Sequence, residues 1–195
     1  GKVRDAEARE QMKSFHRYLD VDGDAIPYRT LPGTGGSYFT RGSGHNRFGG
    51  YTEDSAEYQD VVDRLNDKWE TARGRVPPPV TVDANFANAG IIAVGSSDGA
   101  VVEALDRLAA DGIAVDYLRP RAFPFADAVR EFIASHEVVF VVEQNRDAQL
   151  RTLLMLDADA DPAKLVSVLH YDGMPITAAS IVEPIARHAR EGRAA

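Results

Sequence analysis

The run "GIIAVGSSDGAVVEALDRLAADGIAVDYL", Gly90–Leu118, is the stretch on which the fold turns. Two short apolar runs, Gly90–Gly95 and Ile113–Leu118, bracket a segment in which Val101, Leu105 and Leu108 share one helical face. Apolar runs bounded by Gly or Asp read as strands buried on both faces, whereas the i, i+4, i+7 spacing reads as an amphipathic helix. Strand, helix and strand in close succession form the unit of a parallel sheet with crossover helices. The unit recurs downstream. "EVVFVVE" (Glu137–Glu143) and "KLVSVLH" (Lys164–His170) read as further strands, and Phe125, Val129, Phe132 and Ile133, then Leu150, Leu153 and Leu154, mark further helices. In "SIVEPIARHAR" Ser180 and Glu183 have capping-box spacing, which places Pro184 in the first turn of a last helix, where amide donors lack intrahelical partners anyway. The expectation for residues 80–195 is an α/β domain, three-layer and open, with a mostly parallel sheet.

Residues 1–79 are organised differently. Met12, Phe15 and Leu19 suggest one helix, and Tyr58, Val61, Val62, Leu65 and Trp69 suggest a stronger one. Between them lies "LPGTGGSYFTRGSGHNRFGGYTE", Leu31–Glu53, an irregular arm whose glycines surround Arg41, His45, Asn46 and Arg47. A structureless loop of this length is rare in a compact domain unless it is functional or packed against a partner. The prolines of "RGRVPPPV" mark a stiff linker near residues 74–80.

A chain of 195 residues can hold one substantial core plus an appendage. Its composition, 44% apolar and 27% charged, is ordinary for a soluble protein, and no window is apolar for long enough to cross a membrane. The net charge of -8 opposes attraction to phosphate backbones, so nucleic acid is not an expected partner. With no cysteine the chain can form neither a disulfide nor a thiolate-ligated iron–sulfur cluster, which fits a reducing compartment. The opening "GKVRDAEAREQMKSFHRYL" is charged and has no signal-peptide core, so a cytoplasmic location is expected. It also lacks an initiator methionine, which suggests a start inside a longer protein.

Several segments carry candidate chemistry. Asp20, Asp22 and Asp24 alternate as calcium ligands do, but Gly23 and Leu31 stand where the loop pattern needs other residues, which favours a polar turn. "VGSSDGA" (Val94–Ala100) joins a strand to a helix, the place where α/β folds bind phosphates; it lacks the G-x-G-x-x-G spacing, and Ser96, Ser97 or Asp98 capping the helix is the competing reading. "EQNRDAQL" (Glu143–Leu150) follows a strand at the corresponding edge. There Glu143, Asn145, Arg146 and Gln149 are interface or ligand-edge candidates, unless Asn145 or Asp147 merely caps the next helix. The histidines show no ligand spacing and no nucleophile elbow is present, so neither a metal site nor a catalytic residue is assigned to this chain alone. Arg29 and Arg41 are forked, permanently charged donors suited to a carboxylate or phosphate, and the arm's glycines allow close backbone approach; a solvated loop is the competing reading.

"DGDAIPYRTLPGT", "YFTRGSGHNRFGGYTED", "VFVVEQNRDAQLRTLL" and "LHYDGMPITA" together closely resemble the alpha subunit of 2-oxoacid:ferredoxin oxidoreductases, particularly the 2-oxoglutarate type, from about residue 18 to 182. The resemblance implies oxidative decarboxylation of a 2-oxoacid on thiamine diphosphate, with electrons passing through a 4Fe-4S cluster to ferredoxin and the acyl group to coenzyme A. It implies that thiamine diphosphate, its Mg and the cluster are held mainly by a beta subunit and none by this chain alone. The chain would then be the C-terminal part of an alpha subunit: the end of a pyrimidine-binding domain, arm and linker over residues 1–79, and a transketolase C-terminal-like domain over 80–195. The beta subunit, the rest of the alpha subunit, ferredoxin, coenzyme A and the 2-oxoacid are the implied partners, and the chain alone is expected to be inactive. Arg29 is the implied substrate-carboxylate ligand, Thr30, Thr40 and Arg41 are further substrate candidates, and His45 and Asn46 are interface or ligand-edge candidates. Many relatives carry Gly where this chain has Ala148. The alternatives are a transketolase-type C-terminal domain of another thiamine enzyme and a non-catalytic scaffold or interaction domain.

Overall fold

In the computed structural model residues 2–4, 14–85 and 87–194 are described, and the chain divides into two units, Gly1–Arg75 and Val76–Ala195. The second unit has the expected three-layer α/β architecture. Its elements run β1 (Val80–Val82), β2 (Ala89–Ala93), α2 (Asp98–Ala110), β3 (Asp116–Arg119), α3 (Asp127–Ser135), β4 (Val138–Glu143), α4 (Gln149–Asp157), β5 (Leu165–Leu169) and α5 (Ala178–Ala194). The sheet order is β1-β3-β2-β4-β5. β2 pairs in parallel with β3 (Gly90 opposite Asp116) and with β4 (Gly90 opposite Val139), and β4 pairs in parallel with β5 (Val139 opposite Leu165). β1 adds an antiparallel edge, with Val80 opposite Arg119. Three exposed residues after a proline run carry no burial pattern, which is why this edge strand is not evident in the sequence.

Alternation along the strands builds two cores. Ile91, Tyr117, Phe140 and Val142 face Val101, Ala104 and Leu108 of α2 and Ile181 and Ile185 of α5. Ile92, Leu118, Val139 and Val141 face Val129 and Ile133 of α3 and Leu150 and Leu154 of α4. Full burial of side chains of this size contributes roughly 1.5–3 kcal/mol each. Gly90 is required where α3 crosses β2, because a Cβ there would come within 2.6 Å of the Phe132 ring.

Some boundaries differ from the sequence expectation. Ile113, Ala114 and Val115 form the approach to β3, and Phe125 precedes α3 while still filling the core beneath it. The last helix starts earlier than the Ser180–Glu183 spacing suggests. The Ser180 amide donates to Thr177 Oγ1 at 3.3 Å and the Thr177 amide to Ser180 Oγ at 3.2 Å, a reciprocal cap that leaves Pro184 inside the helix. Pro184 has no amide for the Ser180 carbonyl, so the helix tolerates one missing hydrogen bond there.

In the first unit helix α1 (Ser55–Arg73) is capped by Asp54, whose carboxylate accepts from the Ala56 and Glu57 amides. Of its apolar stripe only Val61 is buried; Tyr58, Val62, Leu65 and Trp69 are exposed. The expected helix through Met12, Phe15 and Leu19 is corrected where it can be seen. Met12 lies outside the described residues, and residues 14–20 form a bend and a turn. The Phe15 ring instead packs against Tyr38, with centroids 5.7 Å apart, so its apolar character serves the arm.

Candidate functional sites

The arm is fastened by its own polar groups. The Arg29 amide donates to the Lys2 carbonyl at 2.9 Å and the Arg4 amide to the Arg29 carbonyl at 2.8 Å, which fixes the backbone of Arg29 in a short parallel bridge. Its side chain is exposed, and its guanidinium has no partner among the described residues. Thr30 donates its hydroxyl to the Gly36 carbonyl at 3.0 Å, and a Cβ at Gly36 (φ +70) would come within 2.9 Å of the Thr30 methyl. Thr40 is exposed.

Arg41 is already engaged. Its amide donates to the Tyr18 hydroxyl at 3.0 Å, its Nε to the Gly49 carbonyl at 2.9 Å, and its guanidinium lies 5.5 Å from the Phe39 ring centre. Gly49 (φ +84) sits against the Tyr18 ring, where a side chain would not fit without displacing it. His45 stacks on Tyr18 with centroids 4.1 Å apart, and its Nδ1 lies 2.9 Å from the Asn46 carbonyl. Asn46 Oδ1 accepts from the Phe48 and Gly50 amides at 3.1 and 3.0 Å, while Nδ2 donates to Glu57 at 3.3 Å. His45 and Asn46 are therefore fasteners of the arm, and Arg47 joins them through a two-point pair with Asp60.

The second unit has a cleft of about 580 Å³ at the carboxyl ends of β2, β3 and β4. The chain passes from β2 to β3 on one side and then to β4 on the other, so the cleft lies where the strand order reverses, the usual ligand position in open α/β sheets. "VGSSDGA" and "EQNRDAQL" meet there: Gln144 Nε2 donates to Ser96 Oγ at 3.1 Å and Ser97 Oγ at 3.2 Å. No side chain caps α2, contrary to the capping reading of this segment. Asp98 instead accepts from the Tyr117 hydroxyl at 2.9 Å and from Arg119 at 2.7 Å. Burial and then the Asp98 bond push the Tyr117 phenol well above its ordinary pKa.

Glu143 is buried and caps α4 from a distance. One carboxylate oxygen accepts from Asn145 Nδ2 and the Leu150 amide, both at 2.7 Å, and the other from the Arg151 amide at 3.2 Å. Asn145 Oδ1 shares the task, accepting from the Asp147 and Gln149 amides at 3.0 and 3.3 Å. Arg146 is exposed and paired with Asp147, whereas Gln149 and Leu150 line the cleft. The residue before α4 is Ala148, at φ 52 and ψ 47. This left-handed conformation is costly for any side chain and free for glycine. Ala148→Gly is expected to stabilise the second unit by about 0.5–1 kcal/mol in urea unfolding, and unchanged stability would mean that the alanine is not strained.

The sequence did not single out the far wall of the cleft, formed by Arg121 and Phe123. Their one available signal was position: "PRAF" (Pro120–Phe123) follows β3 directly, and so shares the carboxyl edge with the two segments already noted.

Two kinds of metal ligand are at issue in this chain. There is no cysteine for a cluster. Asp20, Asp22 and Asp24 do gather their oxygens within 4.8 Å of one another, but the Lys2 ammonium pairs with both Asp22 and Asp24, and Arg75 stands 3.5 Å from Asp24. The Lys2 bond holds the Asp24 carboxyl below its ordinary pKa. Partial burial pushes Asp20 up, but the Ala25 and Gly23 amides outweigh it and its pKa is also lowered. Two of the three carboxylates thus already have cation partners, as in a polar turn.

No protein-family model matches the chain. It is 25% identical over 177 residues to the alpha subunit of 2-oxoacid:ferredoxin oxidoreductase 2 of Aeropyrum pernix, covering 88% of this chain and 27% of that protein. It is 26% identical over 180 residues to the 2-oxoacid:ferredoxin oxidoreductase alpha subunit of Saccharolobus solfataricus, covering 89% of this chain and 28% of that protein. The chain thus spans just over a quarter of the length of these relatives. Its fold matches the 2-oxoglutarate:ferredoxin oxidoreductase of Magnetococcus marinus, solved with 2-oxoglutarate, coenzyme A and succinyl-CoA bound, with a TM-score of 0.78 at 24% identity over 95% of this chain and 32% of that one. Over nearly nine-tenths of its length the chain is similar in sequence to these two alpha subunits.

Proposed function

We propose that the chain forms part of the alpha subunit of a 2-oxoglutarate:ferredoxin oxidoreductase. The reaction is 2-oxoglutarate, coenzyme A and two oxidised ferredoxins giving succinyl-CoA, CO₂, two reduced ferredoxins and a proton. The observation that carries this reading is Arg29, a guanidinium held out from a fixed backbone with no partner among the described residues. A dicarboxylic substrate removed from water needs a permanent cation for its distal carboxylate, and the fork of an arginine matches that group. Arg41 is spent on Gly49, and the Thr30 hydroxyl on Gly36, so both position the arm around Arg29. Thr40 is left free to meet substrate. Thiamine diphosphate, its magnesium and the 4Fe-4S cluster belong in this reading to a beta subunit, in a cytoplasmic complex.

The exposed apolar face of α1 supports a role as interface. Tyr58, Val62 and Leu65 lie on one helix and are exposed, as a surface made to meet the rest of the alpha subunit or the beta subunit would be. The test is turnover of 2-oxoglutarate with coenzyme A and a viologen acceptor. The chain alone is expected to give none, and the complex reassembled with the remaining alpha segments and the beta subunit is expected to give activity. Turnover by the chain alone, or an equally active complex lacking it, would overturn the proposal.

A further inference from the structure

The cleft in the second unit has a chemistry that the substrate reading of the arm leaves unused. Its polar wall is the turn Gly95–Ser97, where Gly95 (φ +62) has open space in place of a side chain. The Ser96 and Ser97 amides begin the helical structure, where N–H donors lack intrahelical acceptors. The opposite wall is apolar: Phe123 and Leu153 are 44% and 40% exposed, and the Phe123 ring stands edge-on to buried Phe125 at 5.1 Å. Glu143, the carboxylate among the lining residues, is buried with both oxygens turned to N–H donors. Arg121 is anchored by its Nε to the Pro78 carbonyl at 2.7 Å, and its terminal nitrogens have no partner among the described residues. The carboxamide of Gln149 is likewise unpartnered among the described residues.

A volume of about 580 Å³, lined by apolar groups together with a few polar groups and one cation, suits a flat heterocycle that carries an anionic group. We propose that this cleft binds a purine mononucleotide. Phe123 and Leu153 pack against the ring, and the Gln149 carboxamide, a donor beside an acceptor, matches the N6 and N7 edge of adenine. Arg121 and the Ser96 and Ser97 amides take the phosphate. The proposal is independent of the arm, and either can fail without the other.

The test is titration of the ¹⁵N-labelled chain with AMP. Shift changes are expected at the Ser96, Ser97 and Gln149 amides, saturating with a Kd of about 10–500 μM, with adenosine roughly tenfold weaker. Arg121→Gln should bring AMP down to the affinity of adenosine. Leu153→Arg, at an exposed helical position, should block the cleft while leaving the circular dichroism spectrum unchanged. No shift change at about 5 mM AMP, the same changes with inorganic phosphate alone, or AMP binding unaltered in Arg121→Gln would each overturn the proposal. Coenzyme A carries the same adenine on a bulkier, 3′-phosphorylated unit. If it displaces AMP at a lower concentration than AMP itself needs, the free mononucleotide is not the occupant; if it fails to compete, the assignment stands.

Discussion

Glu143→Ala is expected to lower the stability of the second unit by about 3 kcal/mol, which is roughly 10 °C in thermal midpoint. Glu143 is 3% exposed and accepts three hydrogen bonds, two of them from the first amides of α4. Those amides have no helical acceptor, and once the carboxylate is gone they lose their partner. Each stranded donor costs about 1–3 kcal/mol, but the three share one carboxylate, so the costs do not add in full. Glu143→Gln keeps one oxygen and turns an NH₂ group towards an N–H donor, so about half the loss is expected. Asn145→Ala, which removes a half-buried partner of the same turn, should cost about 1 kcal/mol. Urea unfolding of the three variants checks the order, and a loss below 1 kcal/mol for Glu143→Ala would show that solvent can replace the cap.

The same residue shows how far the sequence could be read. "EVVFVVE" as a strand and Leu150 and Leu154 as a helix face follow from periodicity, because burial on two faces of a sheet or one face of a helix leaves a repeating mark. The terminal glutamate of that strand, a polar edge candidate in the sequence, lines the cleft and is also a buried cap. Nothing local distinguishes the two, because the amides it serves lie seven and eight residues further on and come within reach only after the chain has folded back. Ser180 and Glu183 failed for the opposite reason. Their spacing is a genuine local signal, but Thr177 competes three residues earlier with the same chemistry, and the core contacts of Ala178 and Ile181 settle the choice. Phe15 and Leu19 had helical spacing without forming a helix, since a few apolar residues at that interval are also what an arm needs to pack its own aromatic rings.

The arm was the least legible part. Its glycines announced irregular backbone, and the positive φ of Gly33, Gly35, Gly36 and Gly49 bears that out. Which of its polar side chains face a ligand and which hold the arm together is decided by pairings such as Arg41 with Gly49 and Asn46 with Gly50, between residues whose types alone suit either task. What survives as chemistry is the group these pairings leave over.

Arg29→Gln in the reassembled enzyme is therefore expected to raise the KM for 2-oxoglutarate about 10- to 100-fold, with kcat within about threefold of the parent. A charge-assisted hydrogen bond to a desolvated carboxylate is worth about 1.5–3 kcal/mol, and binding lost equally from ground and transition states appears in KM. The substitution is a clean one. Arg29 meets residues 2–4 through its backbone amide and carbonyl, so a changed side chain leaves the bridge intact. The discriminating measurement uses 2-oxobutyrate, a 2-oxoacid without the distal carboxylate: its KM should not respond to Arg29→Gln, because the group that the arginine meets is missing. Arg29→Lys should recover part of the loss for 2-oxoglutarate, keeping the charge but not the fork. A distorted arm would instead raise both KM values together and depress kcat. If the KM for 2-oxoglutarate stayed at the parent value, Arg29 would be a solvated surface cation and the carboxylate contact would have to come from another subunit.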